Sequence, residues 1–554
     1  MLSSGALCRP VFLMESSSRS SSAGSSAKPL PSLWRILLIV MLLLGVFFRL
    51  VYLDGKVFWV DEAFTALRVS GYTETEVVQA WAEEPLTTVA ALQRYQFPLG
   101  DRPLSGTIGG LAASEPQLPP LYFVLTRWWV QLWGDSIAVM RSLGAIASLA
   151  TLPLLALLCR ELFPTRVTAY LAVCLMAVSP FQVIYAQEAR PYSLWTLLTV
   201  AASWALLRAL RRRRWGDWVV YGLMLTLALY TFVYTVFVML AHAAYGLWER
   251  RSAPLSPPIL RPILVSQAAA IVAFLPWLGA IARNWQQGLQ LASWQRQPLP
   301  QRFLALPLAW MTHISRTFLD FDPTFGYDLS RLFPYLLAVL AILVGVIYSL
   351  YRLWKTAPPS ASRFILLLLV IPALGVIVPD LLTGGQQSTV SRYFVPCWVA
   401  LGLAIAHTLA SWLPQRLAAI SLAGLLTLGV LSCGTSAAAL SWWNKEGGYI
   451  PYVAYPINQT ANPLIISTSD WWLFSLAHTL RPETALQIIT QLDQVPAIPA
   501  GYSHYFLYSA PPILRDALQQ QGFQLTPFDQ LDQVPLLCLT PPGTPPQPCP
   551  PTPN

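Results

Sequence analysis

Acidic side chains stand next to each other just past the end of an apolar stretch. Asp61 and Glu62 follow shortly after a run that closes at Leu53. A carboxylate in such a place can act as a general base toward a bound hydroxyl group. Acids also favour the N-terminus of a helix, so the pair can equally cap a short helix that begins "DEAFTALR". Because adjacent residues do not share one face of a helix, we expect the two acids to have different tasks.

A second charged stretch, "YAQEARPY", connects two apolar runs. Glu188 and Arg190 lie within it, and charges so close to lipid are costly unless they are paired or functional. A guanidinium group there can bind a phosphate. Tyr185, Gln187 and Tyr192 are predicted to line a pocket beside the charged pair. The alternative is an interfacial ion pair that only stabilises the turn.

Two more positions carry groups of the same kinds. Arg392 and Tyr393 begin a late apolar run, where the planar guanidinium suits a phosphate or anchors the chain at the interface. His313 is either a metal ligand or a loop histidine with ordinary partners. The seven cysteines show no spacing typical of a metal site, although Cys538 and Cys549 can pair in an oxidising compartment.

The composition that surrounds these residues is that of an integral membrane protein. Of the 554 residues, 55% are hydrophobic and 11% are charged, whereas soluble proteins carry roughly 25% charged residues. The net charge of +9 does not indicate nucleic-acid binding. The basic residues lie in short clusters between apolar runs, where they determine topology.

Eleven apolar runs are predicted to span the membrane as helices, since backbone polar groups cannot stay unpaired in hydrocarbon. If the N-terminus is cytoplasmic, this number places every basic cluster, including Arg211–Arg214, on the cytoplasmic side. The segment Leu121–Gly134 is predicted to lie in the membrane interface instead. The predicted spans cover about residues 34–53, 138–158, 167–184, 192–210, 217–231, 233–248, 262–282, 331–351, 364–382, 393–412 and 416–433.

The predicted organisation has four parts. Residues 1–33 form a Ser-rich tail and residues 541–554 a Pro-rich tail, and both are predicted to be disordered. Residues 34–435 form the transmembrane domain, with a long first outer loop at 54–137. Residues 436–540 alternate strand and helix patterns, which predicts a small α/β domain outside the cytoplasm.

Several motifs together resemble those of one family. They are "FWVDEAFT" after the first apolar run, the segment Pro119–Arg141, "SPFQVIYAQEARPYSL" and "SRYFVP". The sequence resembles the glycosyltransferases of the GT-C fold, in the branch of the protein O-mannosyltransferases and the aminoarabinose transferases of lipid A. The resemblance is clear over about residues 34–250 and weaker up to about residue 435.

This resemblance implies a mainly α-helical, GT-C-like membrane bundle and a sugar donor carried on a polyprenyl phosphate. It also implies an inverting transfer of the sugar to an extracytoplasmic acceptor, which is a glycan, a lipid or a protein. Asp61 is then the candidate base, and Glu62 orients the acceptor or helps to hold a metal. Arg190, Arg392 and Tyr393 are expected to bind the donor phosphate.

A divalent metal is a further expectation, with Glu62, Glu188 and His313 as its candidate ligands. The predicted spans 217–231 and 233–248 are short and form a tight helical hairpin, and members of the family often carry a histidine just after its first helix. Phe232 takes that position in this chain, which weakens the expectation of a metal.

Two other classes of protein stay open at this stage. A transporter or flippase for lipid-linked glycans would carry ionisable groups at mid-membrane and repeated halves. A non-catalytic glycan-binding protein of envelope assembly would act through its C-terminal part. For all three, the expected location is the plasma membrane, with the N-terminus in the cytoplasm and the C-terminal domain outside.

Overall fold

The structure is a computed structural model, in which helices predominate and strands occur in the first loop and in the C-terminal part. The residues that it describes are 32–98, 100–252, 259–322, 333–413, 415–493, 495–528, 535–545 and 549–550. Almost the whole predicted Ser-rich tail and part of the Pro-rich tail lie outside these ranges.

The elements of the first half of the chain begin with the first apolar helix and continue through the helices of the first loop. In chain order they are α1 (Ser32–Leu50), α2 (Val60–Ser70), α3 (Glu74–Glu83), β1 (Leu86–Thr88), α4 (Val89–Gln93), α5 (Leu104–Ser114), α6 (Leu121–Trp133), α7 (Ile137–Leu162), α8 (Arg166–Ala177), α9 (Pro180–Ala186), α10 (Tyr192–Arg212), α11 (Trp215–Thr231) and α12 (Thr235–Ser252).

The second half continues with apolar helices and ends in alternating strands and helices. Its elements are α13 (Leu260–Arg283), α14 (Trp285–Leu291), α15 (Arg302–Arg316), α16 (Leu336–Thr356), α17 (Pro359–Thr383), α18 (Val395–Trp412), α19 (Arg416–Ala438), α20 (Ile450–Gln459), β2 (Pro463–Thr468), α21 (Trp472–Ala477), β3 (Ala485–Ile489), β4 (His504–Tyr508), α22 (Pro512–Gln520), β5 (Gln524–Pro527) and β6 (Leu536–Thr540). Short 3₁₀ turns occupy Ser293–Arg296, Phe333–Tyr335, Gln387–Thr389 and Ser391–Phe394.

Seven helices in the described ranges are long and apolar enough to cross a membrane. They are α7, α10, α13, α16, α17, α18 and α19, of which α16 and α18 are extended by the 3₁₀ turns before them. Helices α8 and α9 make an eighth if they count as one span, although their axes differ by 56°. The prediction of a helical membrane protein is thereby confirmed. The number of eleven spans stays a prediction. Helices α1, α11 and α12 coincide with three more predicted spans, but they are not among the helices found long and apolar enough to cross a membrane.

A buried arginine stabilises the bend between α8 and α9. The last carbonyl groups of a helix have no partner within it. Those of Met176 and Ala177 accept hydrogen bonds from the fully buried guanidinium of Arg49, at 3.0 and 2.6 Å. Arg49 also donates to the Ser148 hydroxyl at 2.8 Å. Helix α1 thus fixes the bend, and the bend determines where the charged turn after α9 lies.

A glycine of α19 packs against the same bend. A Cβ atom added at Gly429 would lie 2.6 Å from the carbonyl oxygen of Val178. This distance is shorter than real Cβ contacts, so only glycine allows the two backbones to lie so close.

The C-terminal part shares its sheet with the first loop. The strands of the described residues form one sheet in the order β1-β3-β2-β4-β6-β5. Strand β2 pairs in parallel with β3 and β4, and the other pairs are antiparallel. The edge strand β1 belongs to the first loop, with Leu86 opposite Gln487. The predicted α/β domain over residues 436–540 thus takes one edge strand from the first loop, which was not predicted because a three-residue strand leaves no pattern that a sequence can reveal.

Side chains from both parts form a common hydrophobic core. Val77 and Trp81 of α3 belong to the same buried cluster as Leu473 of α21 and Ile488 of β3. Burial of such side chains stabilises a fold by roughly 1.5–3 kcal/mol each. The backbone joins the two parts as well, since the Val57 N–H donates to the Leu440 carbonyl at 2.8 Å. The first loop and the C-terminal part therefore fold as one body.

The predicted disulfide is present in this part of the molecule. Cys538 of β6 is bonded to Cys549. The bond ties the described end of the Pro-rich segment to the sheet.

Candidate active site

The two acids of the first loop point in different directions from the first turn of α2. Successive residues of a helix are about 100° apart around its axis. The Asp61 side chain is 25% exposed and lines a cavity. The Glu62 side chain is fully buried. The expectation that the two acids have different tasks agrees with this geometry.

Asp61 is held by two of the predicted phosphate-binding residues. Its Oδ2 lies 3.6 Å from a terminal nitrogen of Arg190 and 3.5 Å from one of Arg392. Arg190 also donates to the Asp61 carbonyl at 3.2 Å and to the Thr65 hydroxyl at 3.1 Å. Two cations thus face one anion, which leaves net positive charge at this wall.

Buried donors without an acceptor surround the same carboxylate. The Nε atoms of Arg190 and Arg392 and the indole Nε1 of Trp59 have no hydrogen-bond partner within the described ranges. A buried N–H group without an acceptor is destabilising by roughly 1–3 kcal/mol. An oxyanion placed here would satisfy these donors.

Aromatic rings keep the Arg392 guanidinium in place. Its carbon lies 5.7 Å from the ring centre of Trp59, 5.4 Å from that of Tyr192 and 6.0 Å from that of Tyr393. Aromatic faces attract cations electrostatically at these distances. The Tyr393 hydroxyl is itself fixed by a hydrogen bond from Gln295 at 3.0 Å. Tyr192 and Tyr393 therefore orient the arginine and do not line the cavity.

The cavity beside Asp61 has a volume of about 560 Å³, within the range of small-molecule sites. Three of the predicted residues line it, namely Asp61, Tyr185 and Arg392. The sequence did not indicate the other side chains that matter at its wall. These are Trp59, Trp294, Arg316, Trp443, Asn444 and Glu446.

Glu62 lies behind the cavity wall in a dense set of ionic hydrogen bonds. Arg141 donates to both of its oxygens at 2.7 Å. Lys445 donates to Oε2 at 2.6 Å and the Ala189 N–H to Oε1 at 2.8 Å. Burial raises the pKa of this carboxyl, but Arg141, Lys445 and the hydrogen bonds outweigh it and lower the pKa to about 2. Glu62 is therefore charged at neutral pH and connects four parts of the chain.

This position corrects the predicted role of Glu62. Both of its oxygens are occupied by protein donors and none of the side chain is exposed. It cannot contact an acceptor without losing a buried cation as its partner. It supports Asp61 from behind.

Arg141 and Lys445 belong to this network, and the sequence did not single them out as partners of Glu62. Arg141 donates to the carbonyls of Leu53, Lys56 and Val57 as well, at 2.6, 3.0 and 2.9 Å. It lies at the start of an apolar helix, which is an unfavourable place for an unpaired charge. Lys445 is one of only four lysines in the chain. The charge at the start of an apolar helix and the rarity of lysine were visible in the sequence, but neither indicates that the partner is Glu62.

Glu188 lies beside this network and is completely buried. Its Oε2 accepts a hydrogen bond from the Asn444 amide at 2.8 Å, and its Oε1 has no partner among the residues that the structure describes. Burial raises the pKa of Glu188 to about 7. Lys445 and Arg392 act against that rise, and the carboxylates Glu62 and Asp61 add to it.

Gln187 was predicted to line the pocket, and the structure places it elsewhere. Its amide nitrogen donates to the carbonyls of Phe48 and Val51 at 2.9 and 2.8 Å. Its amide oxygen accepts from Lys56 at 3.2 Å. These carbonyls lie at the end of α1, where the helix leaves them without internal partners. Gln187 therefore ties the charged turn to α1.

The three predicted metal ligands do not form a metal site in the described ranges. No three His, Cys, Asp or Glu side chains of these residues are grouped so that they could hold an ion. His313 is buried between the rings of Phe394 and Trp398, 6.2 and 6.4 Å away. Burial, with a smaller effect of Arg316, lowers the pKa of this histidine to about 3. The three predicted ligands therefore do not form a metal site by themselves in the described part of the chain, and the divalent metal stays a prediction.

The fold, taken as a whole, matches that of solved structures of one protein. The structure of ArnT from Cupriavidus metallidurans in the apo state matches with a TM-score of 0.53 at 13% identity, over 91% of this chain and 97% of that one. The same protein bound to undecaprenyl phosphate matches with a TM-score of 0.51 at 13% identity, over 92% and 98%. At such identity the likeness establishes the fold alone. The GT-C-like fold predicted from the motifs is confirmed.

The sequence adds a more specific likeness. Residues 117–279 match the family model of dolichyl-phosphate-mannose-protein mannosyltransferases. The chain is 26% identical over 292 residues to undecaprenyl phosphate-α-4-amino-4-deoxy-L-arabinose arabinosyl transferase 1 of Pseudomonas fluorescens (strain Pf0-1). That match spans 51% of this chain and 47% of the relative. The resemblance stated from the motifs is thereby confirmed. The segment matched by the family model includes Arg141 and Glu188 but not Asp61 or Arg392.

Proposed function

We propose that the chain is a membrane glycosyltransferase that transfers a sugar from a polyprenyl-phosphate donor to an extracytoplasmic acceptor. The observation that carries the proposal is the Asp61 carboxylate between Arg190 and Arg392 at the wall of the cavity. The relatives named above support it, since their names describe transfer from such lipids. The acceptor is a cell-envelope glycan, a lipid or a protein.

The geometry suits a direct displacement with inversion. Asp61 accepts the proton of the acceptor hydroxyl while the oxygen of that hydroxyl forms the new bond to the anomeric carbon. The bond from that carbon to the phosphate oxygen breaks, and the lipid phosphate leaves with the electron pair. Arg190 and Arg392 bind that phosphate through their buried N–H groups, which lack acceptors in the described part of the chain. By turning toward the phosphate, they also release Asp61 to act as a base.

The second carboxylate of the first loop, Glu62, supports Asp61. Glu62 holds the start of α2 on Arg141 and Lys445, so that Asp61 keeps its place when its own partners change. Preorganisation of this kind reduces the reorganisation that a reaction requires.

The same proposal gives a direction in the membrane. The site lies where α7, α10 and α18 begin, and the C-terminal sheet is at that end. The basic run Arg211–Arg214 lies at the other end of α10, which fits a cytoplasmic face. The disulfide Cys538–Cys549 fits an oxidising compartment outside the cytoplasm. We infer a plasma-membrane protein with eleven spans, a cytoplasmic N-terminus and an extracytoplasmic C-terminal part.

The position of the acids favours an enzyme over a flippase. A transporter for lipid-linked glycans would need ionisable groups near mid-membrane. Asp61, Arg190 and Arg392 lie at the end of the helix bundle, outside the seven candidate spans or at the start of one.

Mass spectrometry of envelope glycans, lipids and glycoproteins tests the proposal in a strain that lacks the chain. One sugar modification should be missing, and the wild-type gene should restore it. The Asp61→Asn variant should fail to restore it although the protein still binds undecaprenyl phosphate. Asp54→Asn is the matched control, because Asp54 is an exposed acid of the same loop. An unchanged envelope in the deletion strain, or full restoration by Asp61→Asn, would contradict the proposal.

A further inference from the structure

A turn from the C-terminal part covers the candidate site. Residues Trp442–Glu446, which we call the 442–446 turn, connect α19 to α20. The indole N–H groups of Trp442 and Trp443 both donate to Oδ2 of the buried Asp320, at 2.8 and 2.6 Å. These two bonds fix the turn against the helix bundle. The next three residues are thereby held at the cavity.

Asn444 and Glu188 present unsatisfied acceptors at that place. The Asn444 amide nitrogen donates to Oε2 of Glu188 at 2.8 Å, and a carboxylate can only accept, so the amide oxygen must point elsewhere. Within the described ranges that oxygen, Oδ1, has no partner, and neither has Oε1 of Glu188. Both side chains are at most 3% exposed. Asn444 lines the cavity, whereas Glu188, which was also predicted to line the pocket, lies behind Asn444.

The unsatisfied atoms of the site thus separate by kind. Around Asp61 they include the N–H donors of Trp59, Arg190 and Arg392, and beside the 442–446 turn they are the acceptors of Asn444 and Glu188. A phosphate offers acceptors only and matches the first group. A sugar ring offers hydroxyl donors and matches the second.

We propose that Asn444 forms a subsite that binds a hydroxyl group of the sugar on the donor lipid, with Glu188 and Lys445 behind it as positioning residues. This inference rests on the proposed function, because it assumes that the phosphate of the same lipid lies at Arg190 and Arg392. It places a residue of the C-terminal part in contact with the substrate.

Lys445 holds the subsite together through electrostatics. It is buried and donates to Glu62 at 2.6 Å. Burial, together with Arg141, lowers its pKa, while Glu62 and Glu188 raise it. Removing this buried cation leaves Arg141 as the only cation paired with Glu62 and takes away a cation that acts on Glu188. The subsite therefore depends on Lys445 although the lysine does not line the cavity.

The pH dependence of binding follows from the groups that face Glu188. They are Lys445 and Arg392, which favour its charged form, and Glu62 and Asp61, which disfavour it. With a pKa of about 7, Glu188 gains its full acceptor capacity toward the Asn444 amide as the pH rises through neutrality. Affinity for the glycosylated lipid should rise over the same range.

The test compares three probes on the full chain in nanodiscs: undecaprenyl phosphate, undecaprenyl phosphate mannose and undecaprenyl phosphate arabinose. The wild type should bind one of the two glycosylated lipids more tightly than undecaprenyl phosphate. Asn444→Leu should weaken that binding about tenfold, the effect of one or two hydrogen bonds. Its dissociation constant for undecaprenyl phosphate should stay within about twofold. Trp59→Phe removes one of the N–H donors around Asp61, so it should weaken the binding of all three probes.

Lys445 is tested by the pH profile of the same measurement. In Lys445→Met the midpoint of the rise in affinity with pH should move to higher pH, because a cation near Glu188 is gone. Lys445→Arg should restore the wild-type midpoint. Lys355→Met is the matched control, since Lys355 is exposed at the end of α16. If Asn444→Leu does not fold, Asn444→Ala makes the same comparison.

The outcomes separate the two proposals. If the wild type binds none of the probes, the proposed function fails and this inference with it. If it binds undecaprenyl phosphate but neither glycosylated lipid more tightly, only the subsite is refuted. An equal loss for all probes in Asn444→Leu would show a structural role and also refute the subsite.

Discussion

Loss of Arg141 should destabilise the whole protein, because this side chain makes five hydrogen bonds in a fully buried place. In Arg141→Met, the Glu62 carboxylate keeps Lys445 as its only cation. Breaking a buried ion pair costs about 3–5 kcal/mol, and the remaining lysine favours the low end. The three carbonyls that also lose a donor add about 1 kcal/mol each, which is not fully additive. We expect a loss of about 5 kcal/mol.

The assay is the free energy of unfolding in dodecyl maltoside micelles, measured by titration with SDS and read by tryptophan fluorescence. A second substitution, Glu62→Gln, removes the buried charge that Arg141→Met leaves behind. The double variant should therefore recover about 2 kcal/mol, because losing both partners costs less than losing one. Arg211→Met is the control. Its ion pair with Glu161 has the arginine 62% exposed, so its loss should change stability by less than about 1 kcal/mol.

Two results would refute this reasoning. One is a loss in Arg141→Met no larger than that of the exposed control. The other is additivity: the double variant is less stable than Arg141→Met by as much as Glu62→Gln is less stable than the wild type. Either would mean that Arg141 and Glu62 do not act on each other.

Two further predictions concern the charged turn and the bend below it. Because burial raises the pKa of Glu188 from 4.5 to about 7, the folded state binds more protons than the unfolded state between these values. The contribution of Glu188 to stability should therefore fall by about 2 kcal/mol from about pH 5.5 to about pH 8, measured as the difference between the wild type and Glu188→Gln. Gly429→Ala should lower the thermal unfolding temperature, since the new Cβ would lie 2.6 Å from the Val178 carbonyl. Gly424→Ala in the same helix meets nothing within 4 Å and should leave it unchanged or raise it through helix propensity.

The comparison of the wild type with Glu188→Gln removes the effect of the other groups that titrate in this window, because both proteins carry them. Glu62, with a pKa lowered to about 2, contributes stability that is fully present above about pH 4.5 and is lost only below it. Over the window used for Glu188 its contribution therefore does not change. Parallel stability curves for the wild type and Glu188→Gln would contradict the assignment to Glu188. If Gly429→Ala proves as stable as Gly424→Ala, α19 can move away from the bend and the packing argument fails.

The sequence predicted the helices and the charged residues because these depend on local patterns. Apolar runs and basic clusters mark the spans, and the acids next to them stand out against lipid. The residues Asp61, Arg190 and Arg392 do come together, although more than three hundred positions separate the first from the last. The family resemblance supported that grouping more than any pattern of spacing did.

Contacts over long distances in the chain were not predictable in the same way. Lys445 lies 383 positions from Glu62, and Asn444 lies 256 positions from Glu188. No periodicity relates such residues, and "WWNKEGG" looks like an ordinary polar turn between a membrane helix and a soluble part. Gln187 shows the opposite error. Its place in a charged motif suggested a pocket residue, but the free carbonyls at the end of α1 require its amide.

The edge strand β1 has a consequence for how the protein is made. Leu86 pairs with Gln487, so the ribosome must add about 400 residues after the strand before its partner exists. At roughly 5–20 residues per second, this takes about 20–80 seconds. During that interval the segment with Asp61 and Glu62 lacks its sheet neighbour, and until residue 445 is added it also lacks Lys445. Nascent chains that stop earlier should therefore lack the complete candidate site, which forms only after residue 487 has been added.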